Sequence, residues 1–206
     1  MSKRIFDLFF STLGILFFLP LFVAIATWIK LESEGPVFYR GLRVGLNGEP
    51  FQIFKFRTMV SNAEKLGGPS TALDDRRITR AGAIFRKYKL DELPQLLSVW
   101  KGDMSFVGPR PEVRQYVDLY SDEEKQILTV RPGITDYSSI KFHNEGEILA
   151  GSADPEKDYL EKIRPAKLRL QLEYVRDHSV WGDVKIIFAT LFTLAAPPEK
   201  FLYRKI

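Results

Sequence analysis

The apolar run from Ile5 to Ile29 places the strongest constraint on how this chain can fold. Almost every residue in it is apolar, and Asp7 is its one charged residue. A helix needs roughly 20 consecutive apolar residues to cross the hydrocarbon core of a bilayer, so the run predicts a membrane segment. A secretory signal peptide is less favoured, because the run exceeds a usual signal core and residues 24–26 lead into no clear mature start.

Pro20 lies in the middle of this run and leaves two topologies open. Proline lacks a backbone N–H, so it must break one helical hydrogen bond and bend the helix. The segment could therefore cross the bilayer with a kink or turn back to the side it entered. Basic residues before the run favour a cytoplasmic N-terminus, but others follow it, which nearly cancels that signal. These flanking residues are Lys3, Arg4, Lys30, Arg40 and Arg43.

Composition limits the kind of protein that follows the run. The chain has 206 residues, 45% of them hydrophobic and 27% charged, which predicts a folded domain with a real core. Its formal net charge of +4 is too small to argue for nucleic acid and suits an anionic membrane surface or a phosphorylated ligand better. The absence of cysteine excludes disulfides, thiolate metal sites and a cysteine nucleophile. We expect a membrane segment over 1–30 and one domain over 31–206.

The fold class expected is α+β and mainly helical, with a small β-hairpin packed on helices. Val37–Tyr39 and Phe51–Phe56 predict two strands around Asn47-Gly48, a pair that favours a tight hairpin turn. Apolar residues fall on both faces of the second strand, so both faces should be covered by helices or lipid. The other predictions are a polar loop or lid over 61–75, a helix over 80–88, a rigid loop over 101–111, a short helix over 121–130, a long solvated helix over 156–178 bent at Pro165, and an interfacial apolar segment over 184–192 ending at Pro197-Pro198.

Asp91 and Glu92 stand just ahead of Pro94 at a predicted helix start. Proline is favoured in the first helical turn, where open backbone N–H groups favour anions. Taken alone, the two carboxylates could simply complement the helix dipole. The apolar residues that follow recur at i, i+3, i+4 and i+7, which predicts a buried helix face formed by Leu93, Leu96, Leu97 and Trp100.

The available chemistry comes from carboxylates, basic residues and a hard metal ion. The sequence contains no phosphate-binding P-loop, no serine elbow and no His-Glu-x-x-His motif. Its two histidines, His143 and His178, are too few for a histidine-based site. Phosphoryl transfer uses oxygen ligands for Mg²⁺ and cationic groups for phosphate. Candidates of both kinds lie close together in the sequence: Lys55, Arg57, Arg86, Asp91, Glu92 and Arg110.

Five ordered sequence blocks carry a resemblance to a known family. They are Lys3–Asp7, Phe54–Met59, Leu90–Leu96, Lys101–Pro111 and Val130–Thr135. Through them the chain resembles the bacterial sugar transferases, the monotopic phosphoglycosyl transferases. The match covers most of the chain, and five blocks in one order are far more specific than any single motif.

The resemblance implies an enzyme that moves a sugar-1-phosphate from a UDP-sugar to a polyprenyl phosphate, typically undecaprenyl phosphate, and releases UMP. It implies the bacterial inner membrane, with the catalytic domain on the cytoplasmic face in contact with membrane lipids. This reaction would be the first membrane step of glycoconjugate assembly. Downstream glycosyltransferases would be possible partners.

The resemblance also implies roles for individual residues. Asp91 would be the nucleophile that carries a covalent phosphosugar, and Glu92 would bind Mg²⁺ with Asp91. The first apolar segment would re-enter on the same side of the membrane, with Pro20 as its hinge. Phosphate contacts would come from Lys55, Arg86 and Arg110. Further candidates for substrate contacts are Arg131 and His143, and His143 lies near where many members have an arginine.

The chain departs from the family pattern at two places, and two other functions stay open. Leu19 replaces a frequent serine before Pro20, and residues 136–155 diverge, so we expect the latter to select the sugar. Nothing before Lys3 suggests a further spanning domain, so we expect a minimal catalytic member. The alternatives are a Mg²⁺-dependent phosphatase or pyrophosphatase with Asp91 as the phosphorylated residue, and a non-catalytic membrane scaffold in which Asp91 only caps a helix.

Overall fold

The computed structural model describes residues 2–68 and 70–195 and is mainly helical, as predicted. Its α-helices are α1 (Ser2–Glu32), α2 (Arg80–Lys87), α3 (Gln95–Lys101), α4 (Arg114–Val117), α5 (Tyr137–Lys141), α6 (Glu145–Ile148), α7 (Pro155–Asp158), α8 (Arg164–Asp177) and α9 (Val180–Ala195). Its strands are β1 (Phe38–Val44), β2 (Pro50–Phe56), β3 (Ser105–Val107) and β4 (Gly133–Thr135). Four 3₁₀ turns (Leu46–Gly48, Ala63–Lys65, Leu90–Glu92 and Glu124–Thr129) and a π turn (Tyr159–Ile163) complete the regular elements of this part of the chain.

Helix α1 is one 31-residue helix that continues through Pro20. Its mean hydropathy of 2.5 makes it long and apolar enough to cross a membrane, and only 17% of its most apolar stretch is buried against the rest of the protein. Large side chains remain open to the surroundings, with Phe17 77% and Leu31 82% exposed. The apolar N-terminal segment is therefore a helix with an uncovered apolar face.

Both ends of α1 are bonded to the following domain. Near its start, Lys3 Nζ donates to Val107 O at 3.0 Å, and Asp7 Oδ1 accepts from Phe106 N at 3.1 Å. Near its end, Glu32 Oε1 accepts from Ala81 N at 3.0 Å, at the start of α2. A straight helix of this length spans about 45 Å, so these contacts fix α1 along the domain.

The hairpin forms as predicted and β1 runs further than expected. Strands β1 and β2 are antiparallel, with Phe38 opposite Phe56 and Val44 opposite Pro50. Asn47 and Gly48 have φ of 55° and 80°, and Glu49 N donates to Leu46 O across them. Positive φ at both central residues is the type I′ geometry that Asn-Gly favours.

Both faces of β2 are covered, as its two-sided apolar pattern predicted. Phe56 is 1% exposed and lies edge-on to Phe22 of α1, with ring centroids 5.3 Å apart. Ile53, on the other face, is 2% exposed and packs with Val99 and Met104. The hairpin is thus held between α1 on one side and the α3–β3 region on the other.

The segment 101–111, predicted to be loop, contains strand β3. It pairs in parallel with β4, and Ser105 N donates to Pro132 O at 2.9 Å. The two backbones lie so close that a Cβ on Gly133 would fall 2.1 Å from Gly108 N. The prediction was wrong because a Gly- and Pro-rich pattern indicates a loop locally and carries no signal for pairing with a distant segment.

The predicted buried face of α3 is also wrong in part. Leu96 is buried, but Trp100 is 50% exposed, whereas Val99, Gln95 and Ser98 are fully buried. Helix α3 lies between α1 and the β2–β3 region, so it is covered on two sides. Covering from two sides buries small and polar positions that a single apolar stripe does not predict.

The remaining helical predictions hold with local changes. The helix predicted over 80–88 is found as α2 and is capped by Thr79 Oγ1, which accepts from Gly82 N. The segment 121–130 forms a 3₁₀ turn behind a capping box of Ser121 and Glu124. The long helix over 156–178 is interrupted by the π turn just ahead of Pro165.

Helices α8 and α9 contain the predicted solvated helix face and the predicted apolar segment, respectively. In α8, Lys167 is buried rather than solvated, because it pairs with a carboxylate of another helix. Helix α9 includes the apolar segment 184–192 and leaves Trp181, Phe188 and Phe192 between 68% and 72% exposed. Pro197-Pro198 lies outside the described residues.

We predict that Phe56→Ala destabilises the fold strongly, because it removes a buried ring shared by the hairpin and α1. The free energy of unfolding should fall by about 3–5 kcal/mol, measured by denaturant unfolding in detergent micelles. Leu42→Ala in β1, where the side chain is 64% exposed, is the control and should change it by less than about 0.5 kcal/mol. Equal losses in the two variants would contradict the described packing.

Candidate active site

Asp91 and Glu92 lie on the 3₁₀ turn that joins α2 to α3. Lys89 enters this turn in the left-handed conformation, with φ 55°, and Pro94 precedes the first residue of α3. The predicted position just ahead of a helix start is therefore confirmed. Because the turn is short and followed by a helix covered on two sides, both carboxylates are held on a rigid part of the fold.

Asp91 is a buried carboxylate with an unused oxygen. The residue is 7% exposed, and its Oδ1 atom is buried with no hydrogen-bond partner among the described residues. Burial, with the negative charge of Glu92, raises the pKa of Asp91, and the charges of Lys55 and Arg86 oppose that rise. The group is thus a relatively basic carboxylate with one buried oxygen that no hydrogen bond satisfies.

Glu92, unlike Asp91, is paired with two cations, and its pKa is lowered rather than raised. Its Oε1 atom accepts from Lys55 Nζ at 2.9 Å and from Arg110 Nη2. Burial would raise the pKa of Glu92, but the two cations outweigh it and hold that pKa well below the usual range. Glu92 therefore stays ionised, while burial lowers the pKa of Lys55 despite this pairing.

A backbone carbonyl of the β3–β4 pair holds the Arg110 side chain in position. Its Nη1 atom donates to Ile134 O of β4 at 3.1 Å while Nη2 reaches Glu92. Pro109 and Pro111 fix the backbone on either side, as the Pro-Arg-Pro sequence indicated. Two sequence blocks therefore meet at this guanidinium: Lys101–Pro111 supplies Arg110, and Val130–Thr135 supplies the carbonyl that it contacts.

Glu112, which the sequence reasoning missed, secures the segment after Arg110. It is buried, and its Oε1 and Oε2 atoms accept from Tyr159 OH at 2.8 Å and Tyr120 OH at 3.3 Å. Tyr159 begins the π turn, a form of helix frequently found at functional sites. The only signal in the sequence was the position of Glu112 directly after the Pro-Arg-Pro frame.

Arg86 completes the cationic surroundings of the carboxylates. Its Nε atom donates to Thr58 Oγ1 at 2.9 Å, a contact that the sequence reasoning also missed. Burial lowers the pKa of Arg86, and the charge of Asp91 is the largest effect opposing this. A guanidinium keeps its charge even when buried, so Arg86 remains a cation beside Asp91.

One open cleft contains most of the predicted site residues. Its walls include Lys55, Arg86, Asp91, Glu92, Arg110 and His143. His143 lies after α5, with Nδ1 3.1 Å from Ile140 O. Residues 71–73, 137–147 and 190–194 form further walls, and Phe18 of α1 reaches the same cleft.

Three residues singled out from the sequence have other surroundings. Arg131 is not brought to the carboxylates, because its Nε atom donates to Gly102 O at the opposite end of α3. Pro20 is exposed within α1. Arg57 is buried and donates to Ser33 O at 2.8 Å and to Glu34 O, so it joins the end of α1 to β2.

The donor set fits a magnesium ion shared with a phosphorylated ligand. Within residues 2–68 and 70–195, no three or more Asp, Glu, His or Cys side chains form a group that could hold a metal. Mg²⁺ is usually bound by one or two carboxylates, substrate phosphates and waters. Asp91, whose buried Oδ1 atom has no hydrogen-bond partner among the described residues, and the adjacent Glu92 could supply the protein ligands of such a site.

Comparison with known proteins identifies the family. The family model for bacterial sugar transferases matches residues 1–197. The chain is 38% identical to the UDP-N-acetylgalactosamine-undecaprenyl-phosphate N-acetylgalactosaminephosphotransferase of Aeromonas hydrophila over 195 residues, which cover 93% of the chain and 43% of that protein. It is also 38% identical to the UDP-glucose:undecaprenyl-phosphate glucose-1-phosphate transferases of Escherichia coli K12 and Caulobacter vibrioides, covering 92% and 94% of the chain and 39% and 70% of those proteins.

The chain spans about two fifths of the length of the first two of these relatives. All five sequence blocks fall inside the matched residues. Four of them (Phe54–Met59, Leu90–Leu96, Lys101–Pro111 and Val130–Thr135) supply the two carboxylates, the cations Lys55 and Arg110, and the backbone carbonyl that holds Arg110. The chain belongs to the bacterial sugar transferase family.

Proposed function

We propose that this protein transfers a sugar-1-phosphate from a UDP-sugar to undecaprenyl phosphate and releases UMP. The observation that carries the proposal is the buried Asp91 carboxylate, whose Oδ1 atom has no hydrogen-bond partner among the described residues, in a cleft next to the Lys55–Glu92–Arg110 cluster. The names of the relatives support the substrate classes, since they include transferases that use UDP-glucose or UDP-N-acetylgalactosamine with undecaprenyl phosphate.

Asp91 is the nucleophile in this proposal. A carboxylate oxygen of Asp91 attacks the phosphorus that bears the sugar, an O–P bond forms, and the bond to the bridging oxygen breaks, so UMP leaves with the electron pair. A phosphate oxygen of undecaprenyl phosphate then attacks the same phosphorus and the Asp91 carboxylate is released. Splitting one exchange into two displacements in this way is covalent catalysis, and it predicts ping-pong kinetics.

The contrast between the two carboxylates favours Asp91 over Glu92 for this role. A carboxylate whose pKa is raised by burial is more basic and less solvated, whereas Glu92 is already engaged by two cations. Glu92 instead orients Lys55 and Arg110. These cations, with Arg86, are suited to neutralise the charge of phosphate oxygens in the cleft.

Asp91 and Glu92 would also hold Mg²⁺ when the nucleotide-sugar is bound. When present, the ion supplies positive charge that neutralises the diphosphate. Lys55 and Arg110 keep Glu92 ionised and therefore able to act as a ligand.

The contacts of α1 support a re-entrant arrangement of the membrane segment. Lys3 and Glu32, near its two ends, bond to one and the same domain. A helix that crossed the bilayer would place these ends on opposite sides of the hydrocarbon core. We propose that α1 enters and leaves on the cytoplasmic face of the bacterial inner membrane, with its exposed apolar face in lipid.

The position of α9 supports access for a lipid acceptor. Phe192 and Leu194 of α9 and Phe18 of α1 line the cleft, and both helices carry exposed apolar faces. A polyprenyl chain could therefore stay in lipid while its phosphate enters the cleft. Downstream glycosyltransferases would take over the product at the same membrane surface.

We predict that Asp91→Asn abolishes lipid-dependent UMP release. The rate should fall by about three orders of magnitude or more, because the nucleophile is lost. The assay is UMP release by purified protein from a panel of UDP-sugars, with and without undecaprenyl phosphate and Mg²⁺. Asp118→Asn, which changes a carboxylate whose side chain is 63% exposed, is the control and should retain full activity.

A second readout of the same assay tests the covalent step. Without the lipid, wild-type protein should acquire label from a UDP-sugar labelled in the sugar-bearing phosphate, and Asp91→Asn should not. UMP release that persists in Asp91→Asn would remove Asp91 as nucleophile. Repeated turnover without lipid, beyond one UMP per protein, would favour a phosphatase or pyrophosphatase.

We predict that turnover falls on the acidic side of its pH profile, with a midpoint above the ordinary pKa range of an aspartate. Asp91 must be ionised to attack, so activity falls as pH falls through its raised pKa. Arg86 lowers that pKa, so Arg86→Met should move the midpoint to higher pH, whatever it does to the maximal rate. Arg80→Met, at an exposed position of the same helix, should leave the midpoint in place. An unchanged midpoint in Arg86→Met would count against Asp91 as the titrating group.

We predict that both ends of α1 react with a membrane-impermeant thiol reagent from the same side. The chain has no cysteine, so single variants Ser2→Cys and Glu34→Cys each carry one label site. In inverted inner-membrane vesicles both should be labelled, whereas Leu16→Cys, 63% exposed at the middle of the apolar face, should be protected by lipid. Labelling of only one end in such vesicles would favour a spanning helix.

A further inference from the structure

A buried ion pair lies in the cleft beyond the residues assigned above. Lys167 Nζ of α8 donates to Glu145 Oε2 at the start of α6 over 2.8 Å. The Lys167 side chain is only 10% exposed, whereas that of Glu145 is 30% exposed, and both residues line the cleft. Lys167 Nζ also lies 5.2 Å from the ring centroid of Tyr159. A fixed lysine thus holds a partly open carboxylate at the cleft wall.

This pair lies within electrostatic reach of the catalytic cluster. Burial opposes the charged form of Arg110, yet Glu92 and, more weakly, Glu145 raise the pKa of that guanidinium. The effect of a charge falls with distance, so Glu145 is near enough to Arg110 to influence it. Arg110 and this pair line the same cleft, so a donor whose phosphates meet Arg110 shares that cleft with the pair.

The chemistry of the pair suits hydroxyl groups. Within the described residues Glu145 Oε1 accepts no hydrogen bond, and an ammonium has three N–H donors, of which one is used on Glu145. Hydroxyl groups both donate and accept, so neighbouring hydroxyls can match both partners. Because Lys167 neutralises Glu145, the pair does not repel a diphosphate as an isolated carboxylate would.

We propose that Glu145 and Lys167 form a subsite that binds neighbouring hydroxyl groups of the donor. The proposal rests on the proposed function and names a recognition element within it. Vicinal hydroxyls occur both on the hexose and on the ribose of a UDP-sugar, and the experiment below separates these two sources. Glu145 belongs to the divergent segment 136–155, and Lys167 lies outside it.

The test compares Glu145→Gln and the double variant Glu145→Gln/Lys167→Met with wild type. The double variant is needed because a buried lysine without its partner can destabilise the fold. Glu161→Gln, in an exposed ion pair with Lys157 outside the cleft, is the control. The readouts are the KM and kcat for the donor, the inhibition constants of UMP and 2′-deoxy-UMP, and the thermal midpoint of unfolding.

We expect both test variants to raise the donor KM by about 10- to 100-fold, the effect of losing hydrogen bonds to a charged group, with a much smaller change in kcat. An unchanged UMP inhibition constant would assign the hydroxyls to the hexose. A parallel rise for UMP that is absent for 2′-deoxy-UMP would assign them to the ribose. The control should match wild type in every readout.

Two results would overturn the subsite. One is an unchanged donor KM in a double variant that keeps its thermal midpoint. The other is a fall in kcat alone, which would mean that the pair acts only on Arg110. If wild-type protein neither binds UMP nor turns over any UDP-sugar, the proposed function fails instead, so the two failures are distinguishable.

Discussion

The ion cluster of Glu92 with Lys55 and Arg110 is the interaction on which the site depends. It draws together strand β2, the turn before α3 and the segment after β3, which are far apart in the sequence. Removing charges from water is costly, and a buried pair is a weak source of stability compared with apolar packing. Removing one member, however, leaves an uncompensated buried charge. The cluster is therefore better understood as an arrangement that fixes the relative positions of two cations and one carboxylate beside Asp91 than as a source of net stability.

Four consecutive residues at the end of β2 and just after it, Lys55–Thr58, link that cluster to α1. Lys55 pairs with Glu92, Phe56 packs on α1, and Arg57 bonds to the backbone that leaves α1. Thr58 then accepts from Arg86. Alternation of side chains along a strand sends Lys55 and Phe56 to opposite faces, so one short element can contact both the cleft and the apolar helix. A shift of α1 against the hairpin would consequently disturb the carboxylates, which ties the geometry of the site to the position of α1.

The sequence predicted the parts of this arrangement that local patterns or the family resemblance specify. Asn47-Gly48 predicts the hairpin turn, and the five sequence blocks point to Asp91, Glu92, Lys55 and Arg110 before any contact is known. Contacts between distant segments carried no such signal. The β3–β4 pairing, the tyrosines on Glu112 and the burial of Lys167 all depend on which elements meet in space. The same limit explains Arg131, whose block does support the site, but through Ile134 O on Arg110 and not through its own guanidinium.

Adjacent carboxylates with opposite pKa shifts follow from the 3₁₀ turn that carries them. Neighbouring residues on a turn point in different directions, so Glu92 faces two cations while Asp91 keeps one buried oxygen without a partner. Like charges so close together destabilise each other, and the ionised Glu92 contributes to the raised pKa of Asp91. The cations that hold Glu92 ionised therefore also maintain the charge that makes Asp91 more basic. In this arrangement the two residues are not equivalent, because both cations pair with Glu92, and the proposed nucleophilic attack by Asp91 depends on that asymmetry.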